Sequence, residues 1–158
     1  MNFKIITNIS KKFKEIRVII EAPEMTKNVQ NIISTLSDAN IPKQIVADKN
    51  NEIYFIDVNR IICFFSSDKI NYVRTEDGDY RIKYKLYEIE ELFSRANFVR
   101  ISKSCIININ QVNCFDTSII GTIIVKFKNN TKENVSKRNI PSIMKLLNER
   151  RKVIWVVL

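Results

Sequence analysis

Residues 97–112 read Asn-Phe-Val-Arg-Ile-Ser-Lys-Ser-Cys-Ile-Ile-Asn-Ile-Asn-Gln-Val, and this stretch decides how the chain is interpreted. Two apolar, β-branched runs, typical of strands, are joined by the short loop Ser102-Lys103-Ser104. A loop mounted on a rigid sheet is a good place to hold a ligand. Its two hydroxyl groups can bind phosphate oxygens and its lysine can reach base edges, whereas none of the three is suited to acid–base chemistry at neutral pH.

A second basic loop follows about thirty residues later and contains Ser136, Lys137, Arg138 and Asn139. It opens a predicted helix in which Ser136 is the expected N-cap and Pro141 lies in the first turn, where its missing N–H costs little. Backbone N–H groups at a helix start favour an anion, and Arg138 would project its guanidinium from there. Both basic loops therefore favour a polyanion as partner.

The positive charge is concentrated in the C-terminal third of the chain. Of a formal net charge of +9, residues 97–158 carry 11 Lys and Arg against 3 Asp and Glu, an excess of eight. Residues 51–96 carry 7 against 9, and residues 1–50 carry 8 against 5. A concentrated basic surface is the electrostatic footprint of a polyanion partner, although charge alone also fits a generally basic protein kept soluble by it.

The chain contains no histidine and only two glycines, Gly78 and Gly121. The lack of histidine removes the commonest general base and most catalytic zinc sites, and two isolated glycines cannot form a glycine-rich phosphate loop. The carboxylates Glu88, Glu90 and Glu91 lie in a helix-like segment, where we interpret them as a solvated face rather than as a catalytic pair. An enzyme is therefore the least favoured class, and no cofactor or metal is expected.

Three cysteines, Cys63, Cys105 and Cys114, lie in or beside apolar runs without metal-ligand spacing. Their odd number and apolar surroundings fit buried thiols in a reducing cytoplasm better than a disulfide framework. No stretch approaches the roughly 20 apolar residues needed to cross a bilayer, and the N-terminus lacks the long apolar core of a signal peptide. The sequence thus predicts a cytoplasmic protein.

We expect two parts, a small βα extension over residues 1–50 and a mainly β domain over residues 51–158. Residues 13–22 alternate loosely and predict a strand, and Thr26 is the expected N-cap of a helix that runs through Asp38. The extension is too small to be an independent receiver domain, which would need on the order of 100 residues. We interpret it as an element that packs on the main domain or on a second protomer.

The remainder predicts an α+β fold that is mainly strand, because short β-branched and aromatic runs alternate with polar turns. Asp77-Gly78 is the strongest hairpin signal, and Leu86 to Phe93 has the spacing of an amphipathic helix. The apolar run Lys152–Leu158 predicts one further strand. The other predicted strands are Gln44–Ala47, Glu52–Ile56, Arg60–Ser66, Lys69–Thr75, Tyr80–Tyr84, Phe98–Ile101, Cys105–Ile107, Val112–Asp116, Thr122–Lys128 and Glu133–Val135.

This order of elements and motifs resembles the LytTR family of bacterial transcriptional regulators over about residues 52–150. The family's Ser-x-Arg element ahead of the last helix is matched by Ser136 and Arg138, and its hairpin and Leu-rich helix by Asp77-Gly78 and Leu86–Glu90. Arg100 lies in a strand, and we interpret it as a structural or phosphate-adjacent residue. The family's Phe-x-Arg-x-x-x-Ser core with its apolar-Asn pair is matched by Phe98, Arg100, Ser104, Ile107 and Asn108.

The resemblance implies a compact β domain of roughly ten short strands with two or three helices, which inserts loops into successive major grooves of double-stranded DNA. Lys69, Lys103 and Arg138 correspond to the family's base readers, and Ser104 and Ser136 to its phosphate-binding residues. The family often has His or Asn at the first two readers; lysine can donate to guanine O6 and N7 but lacks the fork of arginine. The full set of expected DNA-binding residues is Lys69, Ser102, Lys103, Ser104, Ser136, Lys137, Arg138 and Asn139.

The extension resembles that of short stand-alone members of the family, which lack a receiver domain, so no phosphoacceptor aspartate is expected. That resemblance implies, as a further partner, a small membrane protein that inhibits the regulator. The leading hypothesis is a homodimer on tandem half-sites, since the extension and the apolar tail 153–158 are expected to cover each other within one protomer or across a dimer. Two other classes stay open: an RNA- or single-strand-binding β module, and a protein-interaction module regulated by a membrane partner. The first would need exposed aromatic platforms, yet Phe98, Phe115 and Phe127 lie on predicted core faces.

Overall fold

The computed structural model describes residues 4–38, 41–94 and 96–156. The chain divides into two units, the first ending at Leu36 and the second beginning at Ser37. The described residues form ten strands and three α-helices, and almost all of this structure belongs to the second unit. The predicted mainly β fold is confirmed.

The first unit holds most of helix α1, Lys27–Asp38. The helix begins where predicted, because the side-chain oxygen of Thr26 accepts a hydrogen bond from the amide of Val29 at 3.3 Å. Val29 is buried, whereas Ile32 and Leu36 are 39% and 40% exposed. The apolar stripe expected from the spacing is therefore present but only partly covered.

The strand predicted over residues 13–22 is wrong. These residues form no strand in the structure, and Ile16 and Ile19 are 97% and 79% exposed. Alternation of apolar and polar residues signals a strand only where a neighbouring strand can take up the backbone hydrogen bonds. None of the described residues pairs with this segment.

A seven-stranded sheet forms the centre of the second unit, and its strand order is β2-β1-β5-β4-β3-β7-β6. Every pairing between neighbouring strands is antiparallel. The seven strands are β1 (Gln44–Lys49), β2 (Glu52–Asp57), β3 (Cys63–Ser67), β4 (Ile70–Thr75), β5 (Gly78–Ile82), β6 (Phe98–Ser102) and β7 (Cys105–Asn108).

Tight turns join these strands, and their residues explain why the chain reverses there. Asn50 and Asn51 between β1 and β2 have φ of 54° and 65°, and Asp68 and Lys69 between β3 and β4 have φ of 51° and 66°. Two successive positive φ values are the signature of the turn that matches the twist of a hairpin. Gly78 has a φ of 123°, so the hairpin predicted from Asp-Gly is confirmed.

A smaller antiparallel sheet has the order β10-β9-β8. Its strands are β8 (Val112–Asp116), β9 (Ile124–Phe127) and β10 (Lys132–Asn134), and the remaining helices are α2 (Leu86–Leu92) and α3 (Ile140–Val156).

Two apolar clusters hold the layers together. Successive strand residues point to opposite faces, so Phe64 packs with Ile89 and Phe93 beside α2, whereas its neighbour Cys63 joins the second cluster with Val125 and the α3 residue Ile143. The large sheet is therefore packed on one face by α2 and on the other by the small sheet and α3.

Two further predictions about the C-terminal region are wrong. Residues 152–156 belong to α3 rather than to a strand, while residues 157 and 158 lie outside the described residues. No Pro or Gly follows Pro141, so nothing in the backbone chemistry ends the helix. Ser136 makes no side-chain cap; instead its carbonyl accepts from the amide of Asn139 at 2.8 Å, in a 3-10 turn over Lys137–Asn139.

The expected domain boundary after residue 50 lies inside the β1–β2 hairpin. β1 pairs with β2 along its whole length, and its residue Asp48 also pairs with Arg81 of β5. Along the chain, the division between the two structural units falls earlier, between Leu36 and Ser37.

Candidate nucleic-acid interface

Three loops that are distant in sequence lie side by side at one end of the large sheet. The amide of Ser66, next to the β3–β4 turn, donates to the carbonyl of Ser104 in the β6–β7 loop at 2.9 Å. The amide of Ser136 donates to the carbonyl of Ile101, at the end of β6, at 2.8 Å. The antiparallel order β4-β3-β7-β6 makes these neighbours, because it brings the ends of those strands to the same edge. The loops form a row, which we call the loop row: residues 68–69, 102–104 and 136–139.

Lys69 occupies the first loop at a position fixed by the backbone. The residues on either side of the turn, Ser67 and Ile70, are paired across the hairpin. With both Asp68 and Lys69 in the left-handed region, the turn contains only two residues and its side chains are exposed. Lys69 is therefore held at the tip of a short, well-defined hairpin.

The second loop is organised by its own serines. The hydroxyl oxygen of Ser102 accepts from the amide of Ser104 at 3.2 Å, and the two hydroxyl oxygens are 3.4 Å apart. Ser102 is half-buried, whereas Lys103 and Ser104 are exposed. The Ser104 hydroxyl and the Lys103 ammonium thus face solvent, while the Ser102 hydroxyl is engaged in shaping the turn.

Arg100 supports this loop from behind. Its Nε donates to the carbonyl of Ser102 at 3.0 Å, and its Nη2 donates to the carbonyl of Lys103 at 2.7 Å. Its Nη1 donates to Oε2 of Glu90 at 2.7 Å. The structural interpretation of Arg100 agrees with these contacts. Glu90, expected only to face solvent, is an ion-pair partner that sequence reasoning missed, because nothing local links α2 to β6.

The third loop carries the remaining cations. Lys137 and Arg138 are exposed in the 3-10 turn, and Asn139 is half-buried. The side chains of Lys69, Lys103, Lys137 and Arg138 have no hydrogen-bond or ion-pair partner among residues 4–38, 41–94 and 96–156. Four cations without internal partners are thus collected along the loop row, where they raise the local positive potential.

A buried asparagine anchors the strand behind the second loop. The side-chain amide of Asn108, which is 2% exposed, donates to the carbonyl of Ile61 at 2.8 Å, and its oxygen accepts from the amide of Asn110 at 3.0 Å. The backbone amide of Asn108 also donates to the carbonyl of Ile62 at 2.9 Å. Asn108 therefore locks the end of β7 to the start of β3, the two strands that place Lys69 beside Lys103.

Ion pairs stabilise the region where the two sheets meet. Arg74 of β4 makes two hydrogen bonds to Asp79, at 2.7 and 3.0 Å, and its Nη1 lies 3.6 Å from Oε1 of Glu133 in β10. The hydrogen bonds to Asp79 raise the pKa of the Arg74 guanidinium further above its usual range. Its guanidinium also lies 4.5 Å from the ring centroid of Phe65. Arg74 thus joins the sheets rather than serving the loop row.

The aromatic residues of this region serve the core. Phe98 and Phe115 are partly buried against the two clusters, and Phe127 is buried. Tyr72 is stacked on Phe65, with ring centroids 5.2 Å apart. The loop row itself contains no aromatic residue on which an unpaired base could stack.

Neither a metal-binding cluster nor a membrane-spanning helix is present in the described part of the chain. No three Cys, Asp or Glu residues there lie close enough together to hold a metal ion. Among the same residues, no helix has both the length and the apolar character required to span a bilayer.

Known proteins resemble this chain in sequence. Residues 51–148 match the family model described as the LytTr DNA-binding domain. A protein named as an uncharacterized HTH-type transcriptional regulator from Staphylococcus aureus strain NCTC 8325 / PS 47 is 36% identical over 89 residues. That match covers 56% of this chain and 60% of the relative. A similarly named protein from strain MSSA476 is 34% identical over 100 residues, covering 63% of this chain and 67% of the relative.

The fold has a counterpart among solved structures. The LytTr DNA-binding domain of a protein described as a methyl-accepting/DNA response regulator from Bacillus cereus superposes with a TM-score of 0.64 at 23% identity. The superposition covers 67% of this chain and 97% of that domain. With residues 51–148 matching the family model and the strands and helices matching the fold, this chain belongs to the LytTr DNA-binding domain family.

Proposed function

We propose that this chain is a transcriptional regulator that binds double-stranded DNA sequence-specifically by inserting the loop row into successive major grooves. The observation that carries the proposal is the alignment of three separate loops, each with at least one cation that has no partner within the described residues. Membership of a DNA-binding domain family and the names of its relatives support DNA as the polyanion that these cations bind. The cytoplasm is the compartment that suits such a regulator.

The residues divide into readers and anchors by their chemistry. Arg138 can form two parallel hydrogen bonds to guanine O6 and N7, while Lys69 and Lys103 can donate to the same acceptors without the rigid fork. The exposed Ser104 hydroxyl and the Ser136 hydroxyl are suited to phosphate oxygens, which set register but carry no sequence information. Lys137 and Asn139 flank the third reader, and Ser102 shapes the second loop.

The proposed assembly is a homodimer on tandem half-sites. One copy reads only a few base pairs, so a second copy at fixed spacing is a simple way to lengthen the recognised sequence. The first unit supplies apolar surface for protein contacts, since Ile5, Ile6, Ile9, Ile16 and Ile19 are each at least 78% exposed. The same surface could instead receive the small membrane-protein inhibitor that the family resemblance suggests.

Sedimentation separates these alternatives. The full chain is expected to dimerise, and replacing Ile9, Ile16 and Ile19 together by Ser should leave a folded monomer that has lost cooperative binding to tandem half-sites. The matched control replaces Ile53, Ile119 and Ile120, which are 65%, 61% and 100% exposed in the second unit, together by Ser. A full chain that sediments as a monomer both free and on tandem half-sites would remove dimerisation from the proposal.

A gel shift tests DNA binding itself. The full chain is titrated against duplex from its own promoter region, random duplex, and single strands of the same length. Replacing Lys69, Lys103 and Arg138 together by Ala should abolish the preference for one duplex. The control variant replaces Lys12, Lys14 and Lys145 by Ala and so removes the same charge from positions outside the loop row. Equal loss of binding in both triple variants would show that the interaction depends only on total charge. Preference for single strands over duplex would favour the single-strand-binding class.

A further inference from the structure

The β6–β7 loop needs support that its own strands do not provide. The pairing register of β6 and β7 shifts between Arg100 and Ser102, so the ladder is irregular just before the loop. The Arg100 guanidinium donates to the carbonyl groups of two successive loop residues, Ser102 and Lys103, at 3.0 and 2.7 Å. Where the strand pairing is irregular, these charge-assisted hydrogen bonds from a planar guanidinium hold the loop backbone instead.

Glu90 in turn holds the Arg100 guanidinium in place. Its carboxylate accepts from Nη1 of Arg100 at 2.7 Å, whereas the carbonyl of Lys103 accepts from Nη2. Glu90 belongs to α2, and the neighbouring residues Ile89 and Phe93 are 0% and 1% exposed in the core. The helix is therefore held by the core, and the ion pair, in which the Glu90 side chain is 51% exposed, connects it to the guanidinium that contacts the Lys103 carbonyl.

Each nitrogen of the Arg100 guanidinium donates one hydrogen bond to these partners. Its side chain is 26% exposed, and Nε, Nη1 and Nη2 all donate within the protein. Three of its five N–H donors are therefore used by Glu90 and the loop carbonyls, and the two that remain lie on the same Nη1 and Nη2 atoms. The geometry therefore favours a role in placing Lys103 over a direct contact with DNA.

We propose that Arg100 and Glu90 are a positioning pair that pre-organises the Lys103 loop for base reading, an inference that rests on the proposed function. A lysine has three rotatable donors on a flexible stem, so its selectivity depends on how well its backbone is held. Loosening the loop should consequently reduce discrimination between bases more than it reduces unspecific affinity.

The test uses Glu90→Gln and Arg100→Lys in the full chain, with Glu91→Gln as control. Glu91 is exposed on the same helix, and its substitution removes the same charge without touching Arg100. Hydrogen exchange of the Ser104 amide in the free protein reports the order of the loop. Affinity for the preferred duplex, relative to one altered at the position read by Lys103, reports discrimination.

We expect both pair variants to exchange the Ser104 amide severalfold faster and to lose discrimination severalfold at that one position, with Glu91→Gln like wild type. Unchanged exchange and unchanged discrimination would overturn the proposal, as would faster exchange with full discrimination. An equal loss of affinity for all duplexes in Arg100→Lys, with discrimination intact and Glu90→Gln like wild type, would identify Arg100 as a phosphate ligand instead. If wild type fails to discriminate while exchange responds as expected, the proposed function fails and the loop-holding contact remains.

Discussion

The amide of Ser66 donates to the carbonyl of Ser104 at 2.9 Å, and this one hydrogen bond sets the β3–β4 turn beside the β6–β7 loop. It continues the β3–β7 pairing, in which Phe65 lies opposite Cys105. Lys69 and Lys103 consequently extend from one edge of one rigid sheet. The antiparallel ladder thus sets the spacing of the two loops, whereas the conformation of the Lys103 loop depends on its own contacts with Arg100.

Arg138→Ala is expected to weaken specific binding by about 1–3 kcal/mol and to relax base preference at one position, because a bidentate contact to guanine would be lost. Footprinting on a series of single-base operator variants measures both effects. Lys145→Ala, which removes an exposed charge from α3, should leave the base preference intact. Unaltered base preference in Arg138→Ala would contradict its role as a reader.

DNA affinity is expected to fall steeply with salt. Each phosphate neutralised by Lys or Arg should contribute about −0.9 to the slope of log K against log salt concentration. Lys137→Ala should reduce the magnitude of the slope by about 1 and weaken binding to all duplexes alike, since Lys137 is exposed in the loop row. A slope near zero for wild type would instead favour the protein-interaction class.

Most strands and turns could be predicted from the sequence because their signals are local. Asp77-Gly78 and Asn129-Asn130 both form turns, and Gly78 and Asn130 have the positive φ that such positions require. The proposed readers on the loop row come from the family resemblance, and the alignment of their loops needed long-range pairings such as Phe65 with Cys105. No local pattern encodes which distant strands become neighbours.

The errors have the same origin. Residues 13–22 alternate like a strand but find no partner among the described residues, whereas residues 152–156 are apolar enough for a strand yet continue α3. Hydrophobic pattern reports that a segment is suited to burial; the available neighbours and the preceding helix decide its conformation. The Glu90–Arg100 ion pair was not predicted for the same reason, because it depends on how α2 packs on the sheet.

Asn108→Ala should lower the free energy of unfolding by about 1–3 kcal/mol, because it leaves the carbonyl of Ile61 without its partner in a buried setting. Denaturant unfolding measures the loss. Asn110→Ala, a change of the same chemistry at an exposed position, should cost less than about 0.5 kcal/mol. Comparable losses in the two variants would show that the buried hydrogen bonds of Asn108 add no more to the free energy of unfolding than the exposed side chain of Asn110.

Stability should depend on pH through Asp116. Hydrogen bonds from Lys126, at 2.7 Å, and from the hydroxyl and amide of Ser118 lower the pKa of its carboxyl below the ordinary value. A carboxyl whose pKa is lower in the folded state stabilises the fold above its unfolded pKa of about 3.9, and that stabilisation is lost as pH falls below it. Asp116→Asn should therefore melt earlier than wild type at pH 7, with the difference shrinking below about pH 4. Thermal melts across this range measure the effect, and a constant difference would contradict the assignment.

The strand order predicts where the chain can be truncated without loss of the second unit's fold. β1 lies between β2 and β5, so a chain that starts at residue 51 loses an internal strand and exposes the edges of two others. A chain that starts at residue 41 keeps all seven strands of the sheet. We expect the longer fragment to unfold cooperatively and to bind a single half-site, and the shorter one to be strongly destabilised or to aggregate. Circular dichroism melts and half-site titrations of both fragments make the comparison. Equal stability of the two fragments would show that β1 is dispensable and that the domain begins at residue 51.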